Sequence, residues 1–417
     1  MISWVRGLVV VAALSLAACG TVQRPSQPIT LTPDIGLTVA ADPRMPAGDG
    51  ARLRVFTEDM ARRLTGDQPV NILALSGGGS NGAYGAGLLV GWTERGDRPQ
   101  FDVVTGVSTG ALAAPFAFLG PEWDEELHQA YTDGGTRDLL SWRSFAAFIN
   151  PSLFSNRVLE NLVERYVTPD LLRAIAAEHA KGRRLLVATT DLDTQQTVIW
   201  DMGVLATQGD DNAVALFKSV LVASASIPGV FPPVLIAGVE DGQRIEQHMH
   251  VDGGVNTPFL AIPEELMLWT HEGGGPNGSS LYVVVNGQVT RTEAATSGRL
   301  SAILVRTYDS MSKSQLRIHL AVTAAFAERN GLTLWVTAIP DNVLTSSLKF
   351  DDETMDGLFE LGRQRGRDGS AWRRLDDTPD EKPLIPPDRV PEAALPEGLE
   401  PTQPSEPVDP LPAPEPT

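Results

Sequence analysis

Cysteine is nearly missing from this chain of 417 residues: Cys19 is the only one. That excludes a disulfide framework and any zinc or iron–sulfur site held by several thiolates. Positive charge is scarce as well. Lys and Arg number 33 against 52 Asp and Glu, a formal net charge of −19. Sequence-independent nucleic-acid binding needs clustered cations to displace phosphate counterions, so no nucleic-acid partner is expected. No His-x-x-x-His or His-Glu-x-x-His pattern occurs, so no metal is expected, and nothing asks for a cofactor. Internal repeats are absent too. The apolar run from Gly7 to Ala18, broken only by Ser15, falls short of the roughly 20 residues that span a bilayer.

Three zones differ in composition. The Gly7–Ala18 run follows Arg6 and ends in Leu16-Ala17-Ala18-Cys19. A short apolar run behind a positive charge, closing on small residues, reads as a secretory signal over residues 1–18. Its ending resembles the lipobox of bacterial lipoproteins. The resemblance implies that Cys19 is lipidated, becomes the mature N-terminus and holds the protein to a membrane. Gly20 follows, not Asp, which in Gram-negative lipoproteins implies the outer membrane. The plainer reading of Cys19 is a buried apolar thiol. Residues 19–50 carry Pro25, Pro28, Pro33, Pro43 and Pro46 and read as a flexible tether. Residues 376–417 hold 13 of the 31 prolines, with 11 acids and 2 bases, and so −9 of the net charge. Such a tail buries too little apolar surface to fold, though it can serve a protein partner.

The body, 51–375, alternates short apolar runs with helical patterns. Strands are expected at Val70–Leu75, Phe101–Thr105, Leu185–Thr190, Thr197–Trp200, Leu281–Asn286 and Leu332–Ala338. Helices are expected up to Arg95 and over 111–119, 213–224, 297–328 and 352–365. Near-continuous apolar strands between helices argue an α/β fold with a mostly parallel, buried central sheet.

Three glycine-flanked motifs carry the chemistry. Gly106-Val107-Ser108-Thr109-Gly110 follows a strand and opens an apolar helix, the setting of a nucleophile elbow. Gly106 and Gly110 leave room for the sharp turn, and the helix N-terminus puts free N–H groups beside the serine. Ser76-Gly77-Gly78-Gly79-Ser80-Asn81-Gly82 also joins a strand to a helix. Its glycines suit an oxyanion hole. Gly77, Gly79 and Gly82 also fit a dinucleotide fingerprint, but the acid at the right distance, Asp102, stands at the start of its strand, on the wrong edge of the sheet. In Val251-Asp252-Gly253-Gly254-Val255 a carboxylate sits on a turn, where the plain reading is an Asp bonding its own backbone.

Taken in this order, the three motifs resemble the patatin-like phospholipase family. Asp191-Leu192 after LLVATT matches its strand-end T-D-L. Ser224 to Pro233 matches its S-x-x-x-P-x-x-F-P-P signature, and Met355–Gly366 its closing helix. The likeness runs from about Asn71 to Gly366. It implies a three-layer patatin-like sandwich and a serine acyl hydrolase of phospholipase A, lysophospholipase or esterase type, acting on phospholipid or another acyl ester. It further implies a Ser108–Asp252 dyad without histidine and an oxyanion hole at Gly77, Gly78 and Gly79. Two positions depart from the pattern: Ser76 where Asp is frequent, and Asn81 where a cation is usual. They leave open a non-catalytic, lipid-anchored binding or scaffold protein on the same fold. A Ser–His–Asp triad would need His271 or His319 by chain order. His248 and His250 share a strand face with Asp252 and are expected either to tune it or, more plainly, to lie on the surface.

Overall fold

The computed structural model describes residues 44–46, 58, 59, 62, 68–132, 157–240, 243–264, 267, 278–291, 295–343 and 345–374. Cys19, the C-terminal tail, His271 and most of the tether lie outside them; Arg44–Pro46, expected within the flexible tether, instead form an edge strand paired with Val198–Trp200. In chain order the elements are β1 (Arg44–Pro46), β2 (Asn71–Leu75), α1 (Gly82–Arg95), β3 (Val103–Val107), α2 (Thr109–Leu119), α3 (Asp124–Thr132), α4 (Arg157–Tyr166), α5 (Pro169–Ala180), β4 (Arg184–Asp191) and β5 (Gln196–Asp201). There follow α6 (Met202–Gln208), α7 (Asp211–Ser224), β6 (Val234–Glu240), β7 (Gln243–Asp252), β8 (Ser280–Val285), α8 (Leu300–Arg329), β9 (Thr333–Ala338), α9 (Asp352–Asp368) and β10 (Arg373–Arg374).

The sheet runs β1-β5-β4-β3-β2-β8-β9-β10, with the β6–β7 hairpin joined to β4. Its centre, β4-β3-β2-β8-β9, is parallel, and the flanking pairs are antiparallel. Central strands such as NILAL and VVTGV are apolar on both faces because helices or loops cover both. On one face α1, α2, α5, α7 and α9 pack over Leu73, Leu75, Val104, Leu185 and Val187. On the other, α8 and residues 259–262 cover Ile72, Ala74, Val103, Leu186 and Val283. The result is the expected three-layer α/β sandwich. Each large side chain fully buried between layers, such as Phe217 or Phe326, adds about 1.5–3 kcal/mol.

Local signals set the helix ends. Asp210, Asp351 and Thr168 cap α7, α9 and α5 by accepting an N–H from the third residue on. Strand β3 is displaced by two residues from the 101–105 expected. The Asp102 carboxylate accepts the Asn71 N–H at 2.8 Å, which closes the start of the strand there. The β6–β7 hairpin is not evident in the sequence, because its strands mix charged and apolar residues without a clean alternation.

Candidate active site

Ser108 and Asp252 are 144 residues apart in the chain, yet the Ser108 hydroxyl donates to Asp252 Oδ2 at 2.5 Å. The pairing of β4 explains it. Strand β3 runs along one edge of β4 and ends with Val107 opposite Ala188. Strand β5 occupies the other edge through Asp191. Strand β7 arrives in the opposite sense and places Asp252 against Thr189, the next residue along the edge that β3 has left. Ser108 and Asp252 are thus the facing ends of two strands that meet head to head.

The turn at Ser108 is tight. Its φ of 55° is a region that L side chains enter only under strain. Its N–H is held by the Ser224 hydroxyl at 3.0 Å, and that hydroxyl donates to the Ala188 carbonyl at 2.7 Å. A Cβ at Gly106 would strike the backbone of Ala111, and one at Gly110 the Leu75 carbonyl. Both elbow glycines are therefore fixed by close backbone approach.

Asp252 is almost fully buried, and loss of water is the main influence on it. Burial pushes its carboxyl up to about 7, while the Ser108 hydroxyl and the Gly254 N–H (2.7 Å to Oδ1) act against that rise. The turn-Asp bond to its own backbone is therefore present together with the serine contact. His248 and His250 do not touch Asp252. His248 Nδ1 lies 2.8 Å from Asp191 Oδ2. His250 Nδ1 lies 3.0 Å from Thr189 Oγ1, and its ring stands edge-on to Trp200. Both are buried, not on the surface as the plainer expectation had it, because β7 is covered where it joins β4. Burial presses the His250 imidazole down to about 4, so it is neutral at pH 7. For Asp191 burial acts upward, but the His248 ring and the Asp193 N–H outweigh it and hold the carboxyl below its usual range. Asp191, Asp193 and His248 bring possible ligand atoms within 4.8 Å of one another. Their contacts form a hydrogen-bonded network that also takes in the Met249 N–H. His319, one of the two triad candidates, lies on α8 edge-on to Phe259, in the opposite layer.

The glycine loop crosses above Ser108. The Gly77 N–H points away, to the Pro258 carbonyl at 3.1 Å, because the loop leaves β2 still bound to its neighbours. Among the described residues, the N–H groups of Gly78 and Gly79 have no partner. A Cβ at Gly78 would overlap the Asn286 carbonyl, and one at Gly79, where φ is 57°, the Ser347 carbonyl. The two departures from the family pattern are structural here. Ser76 Oγ accepts the Asn286 N–H at 2.8 Å, and Asn81 accepts the Thr345 hydroxyl. Asp102, the acid of the dinucleotide reading, is tied to Asn71 at the far end of its strand.

An apolar cavity opens from Ser108, with about 790 Å³ of empty space counted out to its mouth. Gly79, Ser108 and Thr109 form its floor, and Leu112, Phe116, Leu171, Leu221, Phe231 and Met355 are among its walls. Its lining suits hydrocarbon. Tyr131 stands at its side and donates to the Thr109 carbonyl at 2.7 Å. Sequence reasoning passes over the positions of Ser224, Tyr131 and Asn286. Ser224 opens a recognisable signature, but no spacing places its hydroxyl under a residue 116 positions away.

No curated protein matches the sequence. Among solved structures, VipD from Legionella pneumophila is similar at 13% identity and a TM-score of 0.38, covering 75% of this chain and 68% of that one. The type III effector ExoU is similar at 13% identity and a TM-score of 0.27, covering 72% of this chain and 52% of that one. Residues 73–262 match the family model of the patatin-like phospholipases.

Proposed function

We propose that the protein is a serine acyl hydrolase that cleaves lipid esters through a Ser108–Asp252 dyad. The observation that carries this reading is the 2.5 Å contact between Ser108 and a buried carboxylate titrating near 7, at the floor of an apolar cavity. A base poised near the working pH can take a serine proton and give it back. Ser108 Oγ adds to the ester carbonyl carbon as its proton passes to Asp252 Oδ2. The oxyanion takes hydrogen bonds from the N–H groups of Gly78 and Gly79, helped by the N-terminus of α2. Collapse breaks the ester C–O bond, and the departing alcohol leaves with the proton from Asp252. Water then adds to the acyl-enzyme with Asp252 again as base, releasing the fatty acid and free Ser108. Gly77, with its N–H on Pro258, supports the loop and is not a donor to the oxyanion.

Incubation of the protein with a fluorophosphonate should leave one adduct, on the peptide that contains Ser108. Mass spectrometry of phospholipid vesicles should find free fatty acid and lysolipid. Lipid binding with neither adduct nor product would favour the non-catalytic scaffold instead.

We further propose that Cys19 is lipidated and tethers the domain to the outer membrane. Among the described residues no helix is long and apolar enough to cross a membrane. Metabolic labelling with a palmitate analogue should mark the wild-type protein in outer-membrane fractions and fail to mark Cys19→Ser. Equal labelling of both would remove the anchor.

A further inference from the structure

Five large apolar side chains stand out as exposed among the described residues, and four belong to α8: Ile303 at 44%, Tyr308 at 39%, Met311 at 58% and Ile318 at 60%. At about 100° per residue these four fall on one side of the helix. The opposite side buries Leu316, Leu320 and Ala327 against the sheet. Clustered apolar exposure on one element is uncommon and marks a surface that meets something. Charge says what. The chain as a whole carries −19, but residues 295–327 hold Arg299, Arg306, Lys313 and Arg317 against a single acid, Asp309. Arg306 and Lys313 share that acid at 3.3 and 3.5 Å, and Arg317 donates to the Val289 carbonyl at 3.5 Å. Arg306, Lys313 and Arg317, spaced by 7 and 4, run along one margin of the apolar row. An apolar face edged by bases is the make-up of a helix that lies in the headgroup region of a bilayer.

The helix also reaches the turn that follows the base. Gln315 Nε2 donates to the Val255 carbonyl at 3.4 Å, on the turn that follows Asp252. Partial burial, and then the Asp252 charge, raise the Tyr308 phenol above its usual range.

We propose that the exposed face of α8, from Ile303 to Ile318, is a docking surface for an anionic lipid bilayer. The proposal deepens the hydrolase reading and rests on it for its purpose. The apolar row enters the acyl boundary while Arg306, Lys313 and Arg317 meet the lipid phosphates. The acidic remainder of the chain is repelled, which gives the bound protein a single orientation.

The lone cysteine makes a direct test simple. In the full chain with Cys19→Ser, a cysteine is introduced as Met311→Cys, Ile318→Cys or, as a control on α5 in the opposite layer, Asp170→Cys. Each is labelled with a polarity-sensitive dye and mixed with phosphatidylethanolamine–phosphatidylglycerol vesicles carrying a lipid-borne quencher. Dyes at 311 and 318 should shift to the blue and be quenched, less so at high salt, and the dye at 170 should not change. Unchanged dyes at 311 and 318 would overturn the proposal. So would a shift that appears without vesicles and grows with protein concentration, which would mean that a second copy covers the face. In parallel, Met311→Glu with Ile318→Glu should lower hydrolysis of vesicle lipid by about 100-fold and leave turnover of a soluble short-chain ester unchanged. If the parent turns over no ester at all, the hydrolase reading fails, and the dyes still decide the docking.

Discussion

Ser108→Ala is expected to lower ester turnover by about a million-fold, to the level of the uncatalysed reaction assisted by binding alone. The loss is this large because the proposed route has a covalent step that needs an activated nucleophile: among the other lining residues Thr109, Tyr131 and Tyr166 carry hydroxyls, but the contact to the Asp252 carboxylate belongs to Ser108, and the Tyr131 hydroxyl is engaged with the Thr109 carbonyl. The fold should survive, since the N–H bond from residue 108 to Ser224 needs no side chain. The positive φ adds a second readout. Alanine keeps the strain at 55°, whereas Ser108→Gly relieves it and should be more stable than Ser108→Ala by about 1 kcal/mol, with equal loss of activity. Steady-state assays and denaturant unfolding measure both. Substantial hydrolysis by either variant would end the serine mechanism.

For Asp252→Asn the expected result couples activity to stability. Turnover should fall by about ten-thousand-fold, because the amide can hold the serine in place but cannot take its proton. In the wild type, kcat/KM should rise with pH and reach half its plateau near 7, where Asp252 ionises. Stability moves the other way. The folded-state value, about 7, lies above the ordinary 3.8, so the native protein keeps a proton that the unfolded chain releases. Between those values the native state binds more protons, and wild-type stability falls as pH rises, by about 4 kcal/mol at most. Above 7 the loss is complete and the curve is flat. Asp252→Asn lacks this loss, so its stability relative to wild type should grow from pH 4 to pH 8. Unfolding midpoints in denaturant at several pH values test it. A constant difference would mean that the carboxylate is not held at a cost, and the base assignment would lose its physical basis.

The sandwich is legible in the sequence because its determinants are local. Runs such as NILAL and LYVVVN are short and apolar throughout, as strands buried on both faces are, and Asp210 and Asp351 stand where the caps of their helices form. The nucleophile elbow is legible for the same reason, since a serine between two glycines at a strand-to-helix junction is a statement about one turn of chain. The β6–β7 hairpin is not, because its register depends on β4 and not on its own pattern.

Local order thus determined which residues could be a nucleophile and which a turn carboxylate, and it made the lone Cys19 a candidate anchor in a chain otherwise without thiols. Only the tertiary structure brought Ser108 and Asp252 together, by ending β3 and β7 at consecutive places on one edge of β4. It also separated the glycines, since hydrogen bonding to Pro258 takes up the Gly77 N–H and leaves those of Gly78 and Gly79. It took His248 and His250 away from the site, although they share a strand with Asp252, by giving them Asp191 and Thr189 as partners. Proximity in space, burial and the use of each donor are properties of the packed chain, and a one-dimensional pattern cannot carry them.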